Sequence, residues 1–256
     1  MTTSFPKKIL MPLPHKGFDP SEAAVTWRIL TEAGVSITFA TPDGHPASAD
    51  PIMVTGIGLG PFKYSMRADS RGREAYFLMG GSHEFKHPIK YEHIDREHFD
   101  GIVFSGGHAK EIIPYLENSV LQTITSSFHQ EKRLVAGICH GVLILARSID
   151  KNTNQSILYG KKVTSLPQWM ETLAYTVTRL WMGTYYRTYP EITTQKEIEN
   201  ALQDKSDFIL GPKKLKRDGP GHLKYGHVVQ DGHIITARWP GDLHRFSQSI
   251  LAQLKS

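Results

Sequence analysis

At 256 residues the chain is long enough to bury a full core, and 39% apolar with 21% charged residues describes an ordinary globular protein. The formal charge of +5 is modest, and its one basic cluster, Lys213-Lys214-Leu215-Lys216-Arg217, has no interleaved aromatics for base stacking. It reads as a solvated loop, which argues against a nucleic-acid partner. No run approaches membrane-spanning length, Met1 to Lys8 lack a signal-peptide core, and a single cysteine excludes an intramolecular disulfide. The expectation is a cytoplasmic protein with no membrane partner.

In chain order, Ile9 to Leu13 is the first apolar run and predicts a strand, followed by the loop His15-Lys16-Gly17-Phe18. Asp19-Pro20-Ser21-Glu22 opens a helix, with Asp19 at the N-cap and Pro20 at the first helical position. Ala23, Ala24, Trp27 and Leu30 share its apolar face, and Gly34 stops it. Val35 to Ala40 predicts a second strand, so the unit is a parallel crossover. Glu22 carries two readings. It completes a capping box by folding back on the Asp19 N–H, or it stands at the edge of a parallel sheet where such folds place their chemistry.

Residues 45–90 are irregular. Gly56-Ile57-Gly58-Leu59-Gly60 lacks the spacing and the preceding strand of a dinucleotide site. His83-Glu84-Phe85-Lys86-His87 matches a zinc-protease signature, but Gly80-Gly81 before it and Pro88 after it leave no room for the helix that chemistry needs. It reads as a chance match in a loop, and no metal is expected.

Gly101 to Ser105 predicts a core strand ending in Gly106-Gly107, whose backbone N–H groups could point at a ligand. Asn118 to Gln130 is an amphipathic helix with Val120, Leu121, Ile124 and Phe128 on one stripe. Leu134 to Ile138 predicts a buried strand and Val142 to Ala146 an apolar helix. Between them, Gly137-Ile138-Cys139-His140-Gly141 matches the glycine-flanked turn that lifts a nucleophile clear of a sheet. At the N-terminus of the following helix, Cys139 is expected to be activated, its thiol lowered into a range of about 3.5–7.5.

Beyond the elbow, Lys162-Val163-Thr164 predicts a strand. A helix follows Pro167, with Trp169, Leu173, Val177 and Leu180 on one face and Glu171 in its first turn. Trp181 to Tyr189 is the most aromatic stretch, readable as core, substrate-facing wall or dimer contact. Glu197 to Asp204 is a short polar helix and 205–226 a loop. Asp231-Gly232 turns a hairpin within Val228 to Thr236, and Leu243, Phe246, Ile250 and Leu251 mark a closing helix.

Gly-Ile-Cys-His-Gly at 137–141, preceded by Phe104-Ser105-Gly106-Gly107-His108 after an earlier strand, resembles the ThiJ/PfpI superfamily. The resemblance implies a flavodoxin-like fold shared with class I glutamine amidotransferases: one α/β domain over 1–256, doubly wound, with a mainly parallel sheet and helices on both faces. Insertions fall at roughly 45–90 and 168–226. It implies Cys139 as nucleophile and His140 as acid/base, with Glu171 orienting His140 as in the heat-shock glyoxalase III branch. Glu22 would be a protonated carboxyl hydrogen-bonding the cysteine. Gly106, Gly107 and Gly141, with His108, would supply the oxyanion and substrate contacts. Where that branch usually ends a strand in Thr-Gly-Gln-Asn-Pro, this chain keeps Thr236 and Pro240 but places Ala237-Arg238-Trp239 between them.

The resulting expectation is a cofactor-independent enzyme converting small 2-oxoaldehydes to hydroxy acids. The alternatives are amide or peptide hydrolysis by the same residues, and a non-enzymatic chaperone or redox sensor. A homodimer is expected, since the superfamily commonly pairs.

Overall fold

Seven strands hydrogen-bond into one sheet in the computed structural model, which describes residues 6–255. The part of the N-terminal reading that concerns residues 1–5 lies outside the described residues. The strands are β1 (Lys8–Pro12), β2 (Ser36–Thr41), β3 (Ile89–Lys90), β4 (Gly101–Phe104), β5 (Leu134–Ile138), β6 (Val228–Asp231) and β7 (Ile234–Ala237). Their order is β6-β7-β5-β4-β1-β2-β3, all parallel except the β6–β7 hairpin. This is the expected doubly wound α/β architecture.

Period-two alternation divides the core between the two faces of the sheet. Ile9, Met11, Val103, Ala136 and Ile138 fall in one cluster with residues of α1 (Pro20–Glu32) and α7 (Leu243–Lys255). Leu10, Ile102, Phe104 and Val135 fall in the other, with α3 (Ser119–Gln130) and α4 (Val142–Arg147). Both faces are covered by helices, so central strands read as continuous apolar runs.

Several local expectations need correction. A twelve-residue helix, α2 (Ser70–Gly81), lies inside the irregular segment. It buries only Gly72, Ala75 and Met79, leaves Phe77 and Leu78 exposed, and so carries no apolar stripe to announce itself. A Cβ on Gly72 would come within 2.4 Å of Ser21 Oγ, so glycine is what lets α2 approach α1. The expected strand at Lys162–Thr164 is reduced to a single bridge between Val163 and Phe208. In α5 (Gln168–Met182), Leu173 and Leu180 are exposed, and Met170, Glu171 and Thr178 are the buried residues. The polar helix begins earlier than expected, as α6 (Thr194–Ala201). His83–Lys86 does form one helical turn, with the His83 and His87 rings stacked and Glu84 Oε1 accepting from Trp27 Nε1 at 2.8 Å. That carboxylate serves packing, and among the described residues no group of three His, Cys, Asp or Glu side chains is placed to hold a metal. None of the described helices is long and apolar enough to cross a membrane.

Candidate active site

The C-terminal ends of β1, β4, β5 and β7 converge on Cys139. Its φ is +56°, a left-handed conformation that a side chain adopts only when its surroundings enforce it, at a cost of about 1–3 kcal/mol. The elbow packs closely on the end of β4: a Cβ on Gly141 would lie 2.6 Å from Phe104 O and 2.8 Å from Ser105 O. On the other side, a Cβ on Gly107 would meet Gly17 O at 2.5 Å, locking the Gly106-Gly107 loop against the start of α1. These glycines are therefore required by crowding around the elbow.

Glu22 resolves its two readings. Its N–H donates to the Asp19 carboxylate at 3.0 Å, but its own carboxyl does not fold back, because the Asp19 N–H donates to Gly106 O at 2.8 Å. Glu22 Oε2 instead accepts from Gly106 N at 2.7 Å, and the carboxyl also interacts with the Cys139 thiol. Burial, reinforced by the charge of Asp19, pushes the Glu22 carboxyl well above the usual range, which favours the protonated form. Asp19 itself is pushed up to about 6, again by burial. One consequence corrects the oxyanion assignment: the Gly106 N–H is already used by Glu22. The Gly107 amide is the loop donor that remains.

The thiol departs from expectation. Burial pushes Cys139 up, and the Glu22 and Asp19 charges add to that, outweighing the helpful His140 N–H. That direction favours the neutral thiol over the preformed thiolate expected from the sequence. The His140 imidazole lies beside the thiol, with Nδ1 at 3.5 Å from Cys139 Sγ.

The tautomer of His140 follows from its other nitrogen. Thr188 has one hydroxyl proton and donates it to His108 O at 3.0 Å, so its oxygen must accept from His140 Nε2, 3.1 Å away. Nε2 therefore carries the proton and Nδ1 presents its lone pair to the thiol. Burial, with the nearby His108 and Arg147, holds the imidazole well below its usual pKa and keeps it neutral. Thr188, which the sequence reading did not single out, is the residue that holds the His140 ring. Its only signal was a hydroxyl inside the aromatic 181–189 stretch.

Glu171 is not brought to His140. It is buried, and its Oε2 accepts from Thr194 N at 3.0 Å, anchoring the first turn of α6. Burial pushes it to about 7 from an ordinary 4.5. Between those values the folded chain retains a proton that the unfolded chain has released, so stability falls as pH rises through the window. Glu171→Gln cannot titrate. Its stability relative to the wild type should therefore grow between pH 4 and pH 8, by on the order of 3 kcal/mol. Urea unfolding at the two pH values measures this, and a pH-independent difference would refute it.

The aromatic stretch closes over the site. Tyr185 donates to Asp50, Thr188 holds His140, and the Tyr186 ring lies 4.9 Å from that of His108, which is itself 5.2 Å from His140. Cys139 is only 2% exposed beneath this cover. A cleft of about 570 Å³ lies at the opposite end of the sheet, among Lys7, Asp100 and Leu134, and has no part in this chemistry.

The α/β sheet carries a strained cysteine elbow facing a glycine loop and an early glutamate. Residues 13–212 match the ThiJ/PfpI family-like model, and the chain belongs to that family. It is 24% identical over 167 residues to a deglycase of Thermococcus kodakarensis, covering 65% of this chain and 69% of that one. It is 31% identical over 109 residues to protein DJ-1 homolog D of Arabidopsis thaliana, covering 41% of this chain and only 27% of that protein. Glyoxalase III from Candida albicans superposes with a TM-score of 0.66 at 17% identity, over 96% of this chain and 97% of that one, which is a likeness of fold.

Proposed function

We propose that the chain is a cysteine-dependent enzyme converting small 2-oxoaldehydes to 2-hydroxy acids, with no cofactor. The observation that carries the reading is the His140 tautomer, which aims a neutral Nδ1 at a buried thiol. On substrate entry the thiol proton passes to Nδ1 as sulfur adds to the aldehyde carbon. The new oxyanion lies where the Gly107 and His140 amides can donate, and it recovers that proton to give a hemithioacetal. His140 then carries the C1 proton to C2, while the hydroxyl proton moves from the C1 oxygen to the C2 oxygen. The result is a thioester, which water cleaves to the hydroxy acid and the free thiol. The name deglycase borne by the Thermococcus protein supports an enzyme over a chaperone or sensor.

Wild type and Cys139→Ala are to be incubated with methylglyoxal and with a panel of amides, following lactate and ammonia. Lactate formed only by the wild type is the expected result. Ammonia alone would move the protein to the hydrolases, and no product from either would sink the enzymatic reading.

Thr188→Val should lower kcat about 10- to 100-fold with little change in KM, because the ring loses the partner that fixes its tautomer. Thr188→Ser should restore most of it. Steady-state kinetics that leave Thr188→Val at the wild-type rate would return the orienting role to another residue. We also propose a homodimer, on the apolar surface of Ile57, Tyr64, Leu180 and Trp181. Light scattering at micromolar concentration showing only monomer would remove it.

A further inference from the structure

We propose that Tyr186 and His108 form a subsite for a second, uncharged oxygen of the substrate, vicinal to the carbon that Cys139 attacks. This deepens the reading above and rests on it.

Tyr186 is 3% exposed, and its hydroxyl is buried with no hydrogen-bond partner. His108 Nδ1 is likewise buried and unpartnered. A buried polar atom without a partner forfeits its hydration for nothing, and native structures keep few of them. Here two lie on adjacent rings 4.9 Å apart, one step from the catalytic imidazole. The neighbouring tyrosine sharpens the contrast. Tyr185, 4.8 Å from Tyr186 ring to ring, gives its hydroxyl to Asp50, so packing and hydrogen bonding account for it fully. Nothing among the described residues accounts for the Tyr186 hydroxyl.

The charges around the pair define what it would accept. Ionisation of Tyr186 is disfavoured by burial first, and then by the charges of the Asp50 and Asp19 carboxylates. They would repel a carboxylate-bearing ligand in the same way. His108 is held neutral, its pKa pushed down to about 4 by burial. A neutral phenol and a neutral imidazole suit a carbonyl or hydroxyl oxygen, the phenol donating and the imidazole accepting or donating according to tautomer. In a 2-oxoaldehyde the C2 oxygen is such a group. It gains negative charge as the C1 proton leaves, and a phenol donor positioned there would stabilise it. No proton leaves Tyr186 in this scheme. The hydroxyl positions the substrate and discriminates against aldehydes without the second oxygen, which would leave it unpaired.

The experiment measures protection of Cys139 from iodoacetamide by intact mass, using methylglyoxal and propanal, which share a three-carbon chain and differ in the C2 oxygen. Wild type, Tyr186→Phe and His108→Phe are compared. Both variants should need about tenfold more methylglyoxal for half protection, with propanal unchanged. The melting temperature of Tyr186→Phe should be equal to or above that of the wild type, since the lost hydroxyl had no partner. Equal methylglyoxal protection in wild type and variants would overturn the subsite. So would a parallel loss for both aldehydes, or a lowered melting temperature in Tyr186→Phe with no selectivity change. If the wild type forms no lactate yet the selective loss is seen, the subsite stands and the proposed reaction falls. If lactate forms and selectivity does not change, the reaction stands and the subsite falls.

Discussion

Asp242→Ala should destabilise the protein by about 3–5 kcal/mol, the largest loss expected of any single substitution outside the apolar core. Arg238 is 1% exposed and Asp242 fully buried, joined by two 2.9 Å bonds from Arg238 Nε and Nη2. Asp242 also accepts from the N–H groups of His227 and Arg238, and Arg238 Nη1 donates to Pro212 O at 2.8 Å. Removing the carboxylate would leave a guanidinium without its counter-charge in a dry site, and would release the 212 and 227 segments together. Replacing both partners by apolar residues should cost less than the single change, because no unpaired charge then remains. The pair closes the end of β7, where Ala237 is in register with Ile138, the residue before Cys139. Loss of stability should therefore reach the elbow. Thermal unfolding measures it, and a melting temperature within about 2 °C of wild type would show the pair to be dispensable.

Arg238 stands within the Ala237-Arg238-Trp239 stretch where the resemblance expected Gly-Gln-Asn, and nothing local in Arg238-Trp239-Pro240-Gly241-Asp242 announces a buried ion pair. What was legible was local. The elbow glycines, the Asp19 cap and the short apolar runs of the strands each express a constraint within about ten residues of chain, so the sheet and the turn that carries Cys139 and His140 could be read directly, while Glu22 stayed open between a cap and a place beside the thiol. The partner of His140 could not. Thr188 lies 48 residues downstream in a segment without regular structure, and only the folded chain sets it against the ring. Glu171 was read by its distance past the cysteine, whereas its carboxylate turns to the N-terminus of α6. The direction of the Cys139 shift was misread for a related reason. The helix start is a local feature that favours the thiolate, while the burial that outweighs it is the sum of everything packed above the site.

Glu22→Gln should make Cys139 easier to ionise, on the order of tenfold more reactive with iodoacetamide at a fixed mildly alkaline pH. In the wild type burial raises both the carboxyl and the thiol, and a charged Glu22 raises the thiol further, while the hydrogen bond with Cys139 lowers the carboxyl, so once the carboxyl has ionised the thiol resists losing its proton. Glutamine keeps the shape and an acceptor for the Gly106 N–H but carries no charge, leaving burial as the main opposition to the thiolate. Glu22→Ala also removes the charge but leaves the buried Gly106 N–H unpaired, so it should cost about 1–3 kcal/mol of stability in addition. The sign of the linkage follows. Since the folded carboxyl holds its proton above the ordinary 4.5, wild-type stability falls as pH rises from there, and Glu22→Gln should gain on the wild type over the same interval. Alkylation rates followed by intact mass across pH 5–10 separate the cases. Identical profiles for wild type and Glu22→Gln would show that carboxyl and thiol do not communicate. A wild-type midpoint below about 7.5 would show that the elbow and its helix start overcome burial after all, and that Cys139 rests as the thiolate.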